Sequence, residues 1–198
     1  LTQDGDGNAY NTAVGFEAGN AITDGVSNTL IGGLAGDALT TGEGSVAIGK
    51  SALGATTVGH SNIAIGLDAL ATNVLGSAST AIGQKALEDQ APAGASNMYN
   101  VAIGHHAGKE ISTGIENNLF GGLAGDALTT GSYNVAFGKG ALSTEDTGSR
   151  NVAIGSRALN TLNYNGDGYN IAIGYDAGLS MTTGVQNTIV GGQAGDAL

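Results

Sequence analysis

Apolar residues return along this chain in short bursts, one burst about every 17 residues, with Gly, Asn, Thr and Ser filling the space between. Each burst is a five-residue phrase such as Asn151-Val152-Ala153-Ile154-Gly155, said again as Asn100 to Gly104 and Asn62 to Gly66. Its closing glycine falls at Gly15, Gly32, Gly49, Gly66, Gly83, Gly104, Gly121, Gly138, Gly155, Gly174 and Gly191. The spacing is 17 throughout, except for 21 between Gly83 and Gly104 and 19 between Gly155 and Gly174. An Ala stands three residues after every one of these glycines. So short and constant a period predicts a stacked repeat, in which each unit is one coil and needs only a few inward apolar residues. The fold class expected is all-β, a parallel β-solenoid or β-roll of eleven 17-residue coils.

Within the phrase, side chains alternate between two faces of a strand. Position four is always bulky, from Val14 and Ile31 through Phe137 to Val190, and position three is mostly Ala, with Leu30, Leu119 and Ile189 as exceptions. We expect the large position-four residue of each coil to be the buried one, with Ile48, Ile65 and Ile82 in a single column. The position-three face is also apolar and is expected to meet another chain. One large buried side chain is little to set against the ordering of 17 residues, which is the reason to expect an oligomer.

Three residues before each phrase stands Gly25, Gly42, Gly59, Gly76, Gly114, Gly131, Gly148 or Gly184, replaced elsewhere by Asn8, Asn97 and Asp167. These residue types tolerate φ > 0, so the column reads as a left-handed corner, with the phrase's own Gly as a second one. Two corners predict a flattened coil with two short strands. The Asn that opens most phrases is expected to hydrogen-bond from coil to coil.

A second order is superposed. The residue after the invariant Ala is Gly or Leu, and its sequence divides the chain into blocks 11–99, 100–169 and 170–198 of a single solenoid domain, after a polar lead-in at 1–10. Both irregular spacings fall at block boundaries, where insertions in solenoids become loops on one flank. The boundary residues Glu88, Asp89, Gln90, Pro92, Met98 and Tyr99, and then Asn163, Tyr164, Asn165, Asp167 and Tyr169, are the candidate receptor contacts, because aromatic and amide side chains on a loop suit carbohydrate or protein surfaces. The competing reading is that these loops only accommodate the junctions. The last copy stops short at Leu198, and a fragment of a longer fibre is expected.

Composition narrows the function. The 198 residues include 36 Gly and six Tyr but no Trp and no Cys, and the net charge is −11 with only six Lys plus Arg. No basic patch for nucleic acid or an anionic membrane can be assembled from that. No apolar run has the length of a membrane span. An enzyme, cofactor or metal site is not expected. His105 and His106 occupy freely varying slots that read as solvent-facing, and the only other histidine is His60. Gly49-Lys50-Ser51 lacks the upstream Gly of a phosphate loop at the required spacing. Asp4-Gly5-Asp6-Gly7-Asn8 and Asn165-Gly166-Asp167-Gly168 resemble calcium loops only faintly and are explained by turn chemistry. Thr40-Thr41, Thr129-Thr130 and Thr182-Thr183 raise an ice-binding reading, but Val74-Leu75 and Asp146 interrupt the row.

The phrase Asn-Val-Ala-Ile-Gly, followed by Ala-Leu or Ala-Gly and then Thr-Thr-Gly, resembles the repeats of phage-type tail fibre proteins and of trimeric autotransporter adhesin heads over residues 11–198. The resemblance implies a left-handed β-roll, three chains side by side, in a non-enzymatic extracellular fibre that contacts a receptor. Its coil is longer than the adhesin-head coil, and neither the basic neck of those heads nor the self-cleaving chaperone domain common after tail fibre shafts is present in this sequence. The expected partners are two further copies of the chain and a cell-surface carbohydrate or protein. The alternatives are a purely structural, self-assembling filament and an ice-binding solenoid.

Overall fold

The computed structural model describes residues 9–197. Each phrase forms a three-residue strand: β1 Thr12–Val14, β2 Thr29–Ile31, β3 Val46–Ile48, β4 Ile63–Ile65, β6 Thr80–Ile82, β8 Val101–Ile103, β9 Asn118–Phe120, β10 Val135–Phe137, β11 Val152–Ile154, β12 Ile171–Ile173 and β13 Thr188–Val190. These eleven make one parallel sheet in chain order, with no helix among the described residues. The fold is an all-β parallel β-solenoid of eleven coils. At about 4.8 Å between parallel strands the sheet runs roughly 50 Å. Register is strict: Ile48 lies beside Ile65 and Ile65 beside Ile82, and the two longer spacings leave it unbroken, with Thr80 beside Val101 and Val152 beside Ile171.

The faces of the strand are the reverse of the sequence expectation. Position three points inward: Leu30, Ala47, Ala64, Ala81, Ala102, Leu119, Ala136, Ala153 and Ala172 are fully or almost fully buried. Position four points out, so Val14 is 58% exposed, Phe137 54% and Val190 67%. The column exists, but on the outside, where Phe120 and Phe137 stack with ring centroids 5.4 Å apart. The reason is space. The interior is already filled by three other columns: the Ala three residues after the invariant Gly, the Gly or Leu after it, and a residue three further on.

Those last two columns compensate each other in most coils, the exception being Leu159 and Leu162, which are both fully buried. Where the first is Gly36, Gly108, Gly125 or Gly178, the second is Leu39, Ile111, Leu128 or Met181. Where the first is Leu53, Leu70, Leu87 or Leu142, the second is Thr56, Asn73, Gln90 or Glu145, all buried. A Cβ added at Gly108 would lie 2.7 Å from Leu119 Cδ1, so a larger residue there would have to displace that side chain. In the coils with Gly in the first column, the Gly leaves space that apolar side chains of its own and the adjacent coils fill.

The corners also differ. Gly42, Gly59 and Gly131 do not have positive φ. They are Gly because an added Cβ would lie 2.3–2.4 Å from the carbonyl oxygen of the equivalent residue in the next coil. The left-handed position falls two residues later, on Tyr10, Ser27, Ser61, Tyr99, Tyr133, Arg150 and Tyr169 among others. The invariant Gly is a corner as expected, with φ from 130° to 144°. Two more left-handed residues follow it, as in Asp68 and Leu70 after Gly66. Bulky side chains pay a cost of about 1–2 kcal/mol in this region. Inter-coil hydrogen bonds hold them there, such as Leu70 N–H to Ala86 and Ser61 N–H to Glu43. With so many turns, little second strand is left. Among the described residues only β5 Gly76–Ser77 and β7 Ser96–Asn97 pair, beside the first long spacing, and an isolated bridge joins Ser149 to Asp167.

The opening asparagines form the expected ladder. Asn134 Nδ2 donates to the Gly148 carbonyl (2.9 Å), and its Oδ1 accepts from the Asn151 backbone N–H (3.0 Å). Asn117, Asn100 and Asn28 do the same one or more coils away, all buried. Asn fits because its amide offers donor and acceptor at once. Residue Asn8 and the turn at residues 4–8 lie outside the described residues.

Candidate functional site

The boundary residues do not form one patch. Gln90 and Met98 are buried, at 0% and 1% exposure, and drop out as contacts. Gln90 takes the inward column, where its amide bonds to Ser79 Oγ and accepts from Asn100 Nδ2. The sequence signal was available, since Gln90 is seven residues after Gly83, the place of Leu39 and Leu128. Glu88 and Asp89 lie together on one flank around Lys109, which also pairs with Glu110, while Lys85 bonds Glu88 at 2.9 Å. Hydrogen bonding to Glu110 holds the Lys109 ammonium above its ordinary pKa. Pro92 is half-buried. Tyr99 stands exposed at a left-handed corner, its hydroxyl accepting from Asn97 Nδ2.

The second boundary is more organised. Tyr164 packs against the core, and its backbone N–H reaches the buried Glu145 carboxylate. Burial pushes the Glu145 carboxyl above the usual carboxylate range, against hydrogen bonds from Gly148 and Tyr164 that lower it. Asn163 and Asn165 are exposed. Asp167 and Tyr169 belong to a surface stack: Arg150 ion-pairs with Asp167, and its guanidinium lies 4.9 Å from the ring centre of Tyr133 and 5.8 Å from that of Tyr169. Because the Asp167 carboxylate is engaged by Arg150, the calcium-like turn presents no free carboxylate. Among the described residues no group of three or more His, Asp or Glu is placed to hold a metal.

His105 and His106 stack on each other at 3.9 Å, and partial burial together with the neighbouring His105 lowers the His106 pKa. His60 Nδ1 lies 3.2 Å from Ser77 Oγ in a hollow with Val58, Leu75 and Asn97, with no carboxylate lining it. In two of the three pairs the first threonine is engaged, Thr40 and Thr129 donating to carbonyls of the next coil, whereas Thr182 is exposed.

One feature escaped the sequence reading. A cleft of about 410 Å³ opens on the flank of coils seven to ten, lined by Leu123, Asp126, Lys139, Gly140, Ser143, Ser156, Arg157, Asn160 and Tyr175. Arg157 is fixed in its wall by paired bonds to Asp176 (2.6 and 2.8 Å) and by contact with Tyr175, whose hydroxyl accepts at 2.7 Å. Asn160 Nδ2 bonds Gly140 O and Ser143 Oγ. Asp126 Oδ1 is buried and has no hydrogen-bond partner, and burial raises its pKa. The only signal in the sequence is a break in a column. The second residue after each invariant Gly carries a side chain in every coil, as in Asp68, Lys85 and Arg157, except at Gly140.

The chain matches no protein-family model, no curated protein and no solved structure.

Proposed function

We propose that this chain is a non-enzymatic, extracellular fibre segment, a left-handed β-roll that works as a homotrimer and combines structural extension with contact to a cell-surface carbohydrate or protein. One observation carries the reading: the outward face of the sheet is an apolar stripe in register along all eleven strands. Val14, Ile31, Ile63, Phe137, Ile154, Ile173 and Val190 are each more than a third exposed. Single exposed apolar residues need no explanation, but an aligned row of them marks a contact surface. The partner that fits it is another copy of the chain, because only a second solenoid of the same rise repeats its apolar positions at the same interval. The inward face is Ala-rich and complete within one chain, so the stripe is the inter-chain face in this reading. The net charge of −11 favours a small closed assembly, in which the acidic flanks stay in solvent, over an unlimited one. The exposed boundary residues Tyr99, Asn163, Asn165, Asp167 and Tyr169 remain the receptor-facing candidates.

The test is mass by sedimentation equilibrium over a wide concentration range, on the chain and on Phe137→Asp/Ile154→Asp. A mass of three chains that stops rising with concentration is expected, falling to one chain in the variant. A monomer at every concentration overturns the trimer. A mass that keeps rising replaces it with an open filament.

A further inference from the structure

We infer that the cleft centred on Gly140 binds a neutral hexopyranose, as a free sugar or as the terminal unit of a glycan. The inference rests on the adhesive half of the proposed function and not on the trimer. The cleft is an omission in an otherwise regular wall. At Gly140 φ is +64°, close to the +58° of Gln193 and the +58° of Arg157 at the same place in other coils, so the backbone there does not require Gly. Nor does crowding require it, since an added Cβ would meet nothing nearer than Asn160 Nδ2 at 3.5 Å. The missing side chain leaves open space between Leu123 and Arg157, and the small Ser143 extends it. Its volume lies in the range of small-ligand sites.

The lining selects the ligand. Asp126 lines the cleft, and its carboxylate makes no side-chain hydrogen bond at Oδ1, so the group offers an acceptor to a hydroxyl there. Lys139 forms no ion pair among the described residues and offers its ammonium to a ring or hydroxyl oxygen. Ser143 accepts from Asn160, which leaves its own O–H to donate. Leu123 and the half-exposed ring of Tyr175 supply apolar surface for the C–H face of a sugar. A strongly anionic ligand would meet Asp126 within a chain of net charge −11, and a cation would meet Lys139 and Arg157. A compact molecule with several hydroxyls and one apolar face satisfies all of these walls.

Saturation-transfer NMR and calorimetry with the methyl glucosides, galactosides and mannosides test this, with glucosamine and methyl glucuronide as charged comparisons. At least one neutral glycoside is expected to bind with a dissociation constant of about a millimolar. Gly140→Gln, which fills the space with a side chain this column accepts at Gln193, is expected to weaken binding at least about tenfold with an unchanged circular dichroism spectrum. Asp126→Asn is expected to weaken it as well, and it decides the matter should Gly140→Gln alter the spectrum. The inference is overturned if no neutral glycoside binds up to about 10 mM, if only a charged sugar binds, or if the folded variants bind as the parent does. Mass measured on the same samples keeps the outcomes apart, since sugar binding by a monomer removes the trimer and leaves the cleft standing.

Discussion

Gly125 and Leu128 share one volume in the core: a Cβ added at Gly125 would lie 2.8 Å from Leu128 Cδ1. The next nearest atom is Leu119 Cδ2, at 2.9 Å. Leu128→Ala opens a cavity and is expected to cost about 2–5 kcal/mol. Gly125→Ala overpacks the same space and is expected to cost about 1–3 kcal/mol. The double variant relieves part of the clash and fills part of the cavity. Its loss should therefore fall short of the summed single losses by at least about 0.5 kcal/mol in urea unfolding. Simple additivity would show that the two positions do not trade volume.

Two kinds of glycine can be told apart by the same substitution. Gly66 has φ +138°, and an added Cβ would lie 2.5 Å from the Gly83 carbonyl oxygen. Gly44 has φ +63° and open space, the nearest atom being Ser61 Oγ at 3.9 Å. Its column holds Ser27 and Ser61 at the same φ. Gly66→Ala is expected to lose more than about 3 kcal/mol or fail to fold, through a backbone clash that no rotamer relieves. Gly44→Ala should change stability by no more than about 1 kcal/mol, read as a shift in unfolding midpoint. Equal effects would contradict this account of the corners.

Glu145 sets a pH dependence. Its carboxyl is fully buried, accepts from Gly148 N–H at 2.8 Å, and has a pKa raised by that burial. A folded pKa above the unfolded one means that the native state binds the proton more tightly. The contribution is thus fully favourable below the ordinary carboxylate pKa and is lost as pH rises through the raised value. Asn73, in the equivalent place in coil four, uses both ends of its amide on Gly76. Glu145→Gln is therefore expected to raise stability at pH 7 by about 1–3 kcal/mol. That advantage should shrink as the solution is acidified towards the ordinary carboxylate range. Thermal unfolding of both proteins between those limits checks it, and an advantage that grows on acidification would reverse the assignment.

The sequence by itself determined the period, the eleven coils, the parallel in-register stacking and the Asn ladder. Each follows from like residues recurring at one interval, and stacking places like on like whatever the coil's cross-section. It did not determine which face of the strand turns inward. Alternation says that Ala47 and Ile48 point opposite ways, but both are apolar, so periodicity is silent on direction. The tertiary structure decided it by volume: an interior already holding Ala52 and Leu53 has room for the methyl group of Ala47 and none for Ile48. The corners divided in the same way. Gly can signal positive φ or close approach, and only the position of the neighbouring coil's carbonyl shows that Gly59 is the second kind. Leu70 and Tyr133 could not be read as left-handed at all, because their side chains ordinarily avoid that region and only the ladder bonds of adjacent coils keep them in it. The cleft at Gly140 is a further case, since a missing side chain becomes a cavity only when the walls above and below it are in place.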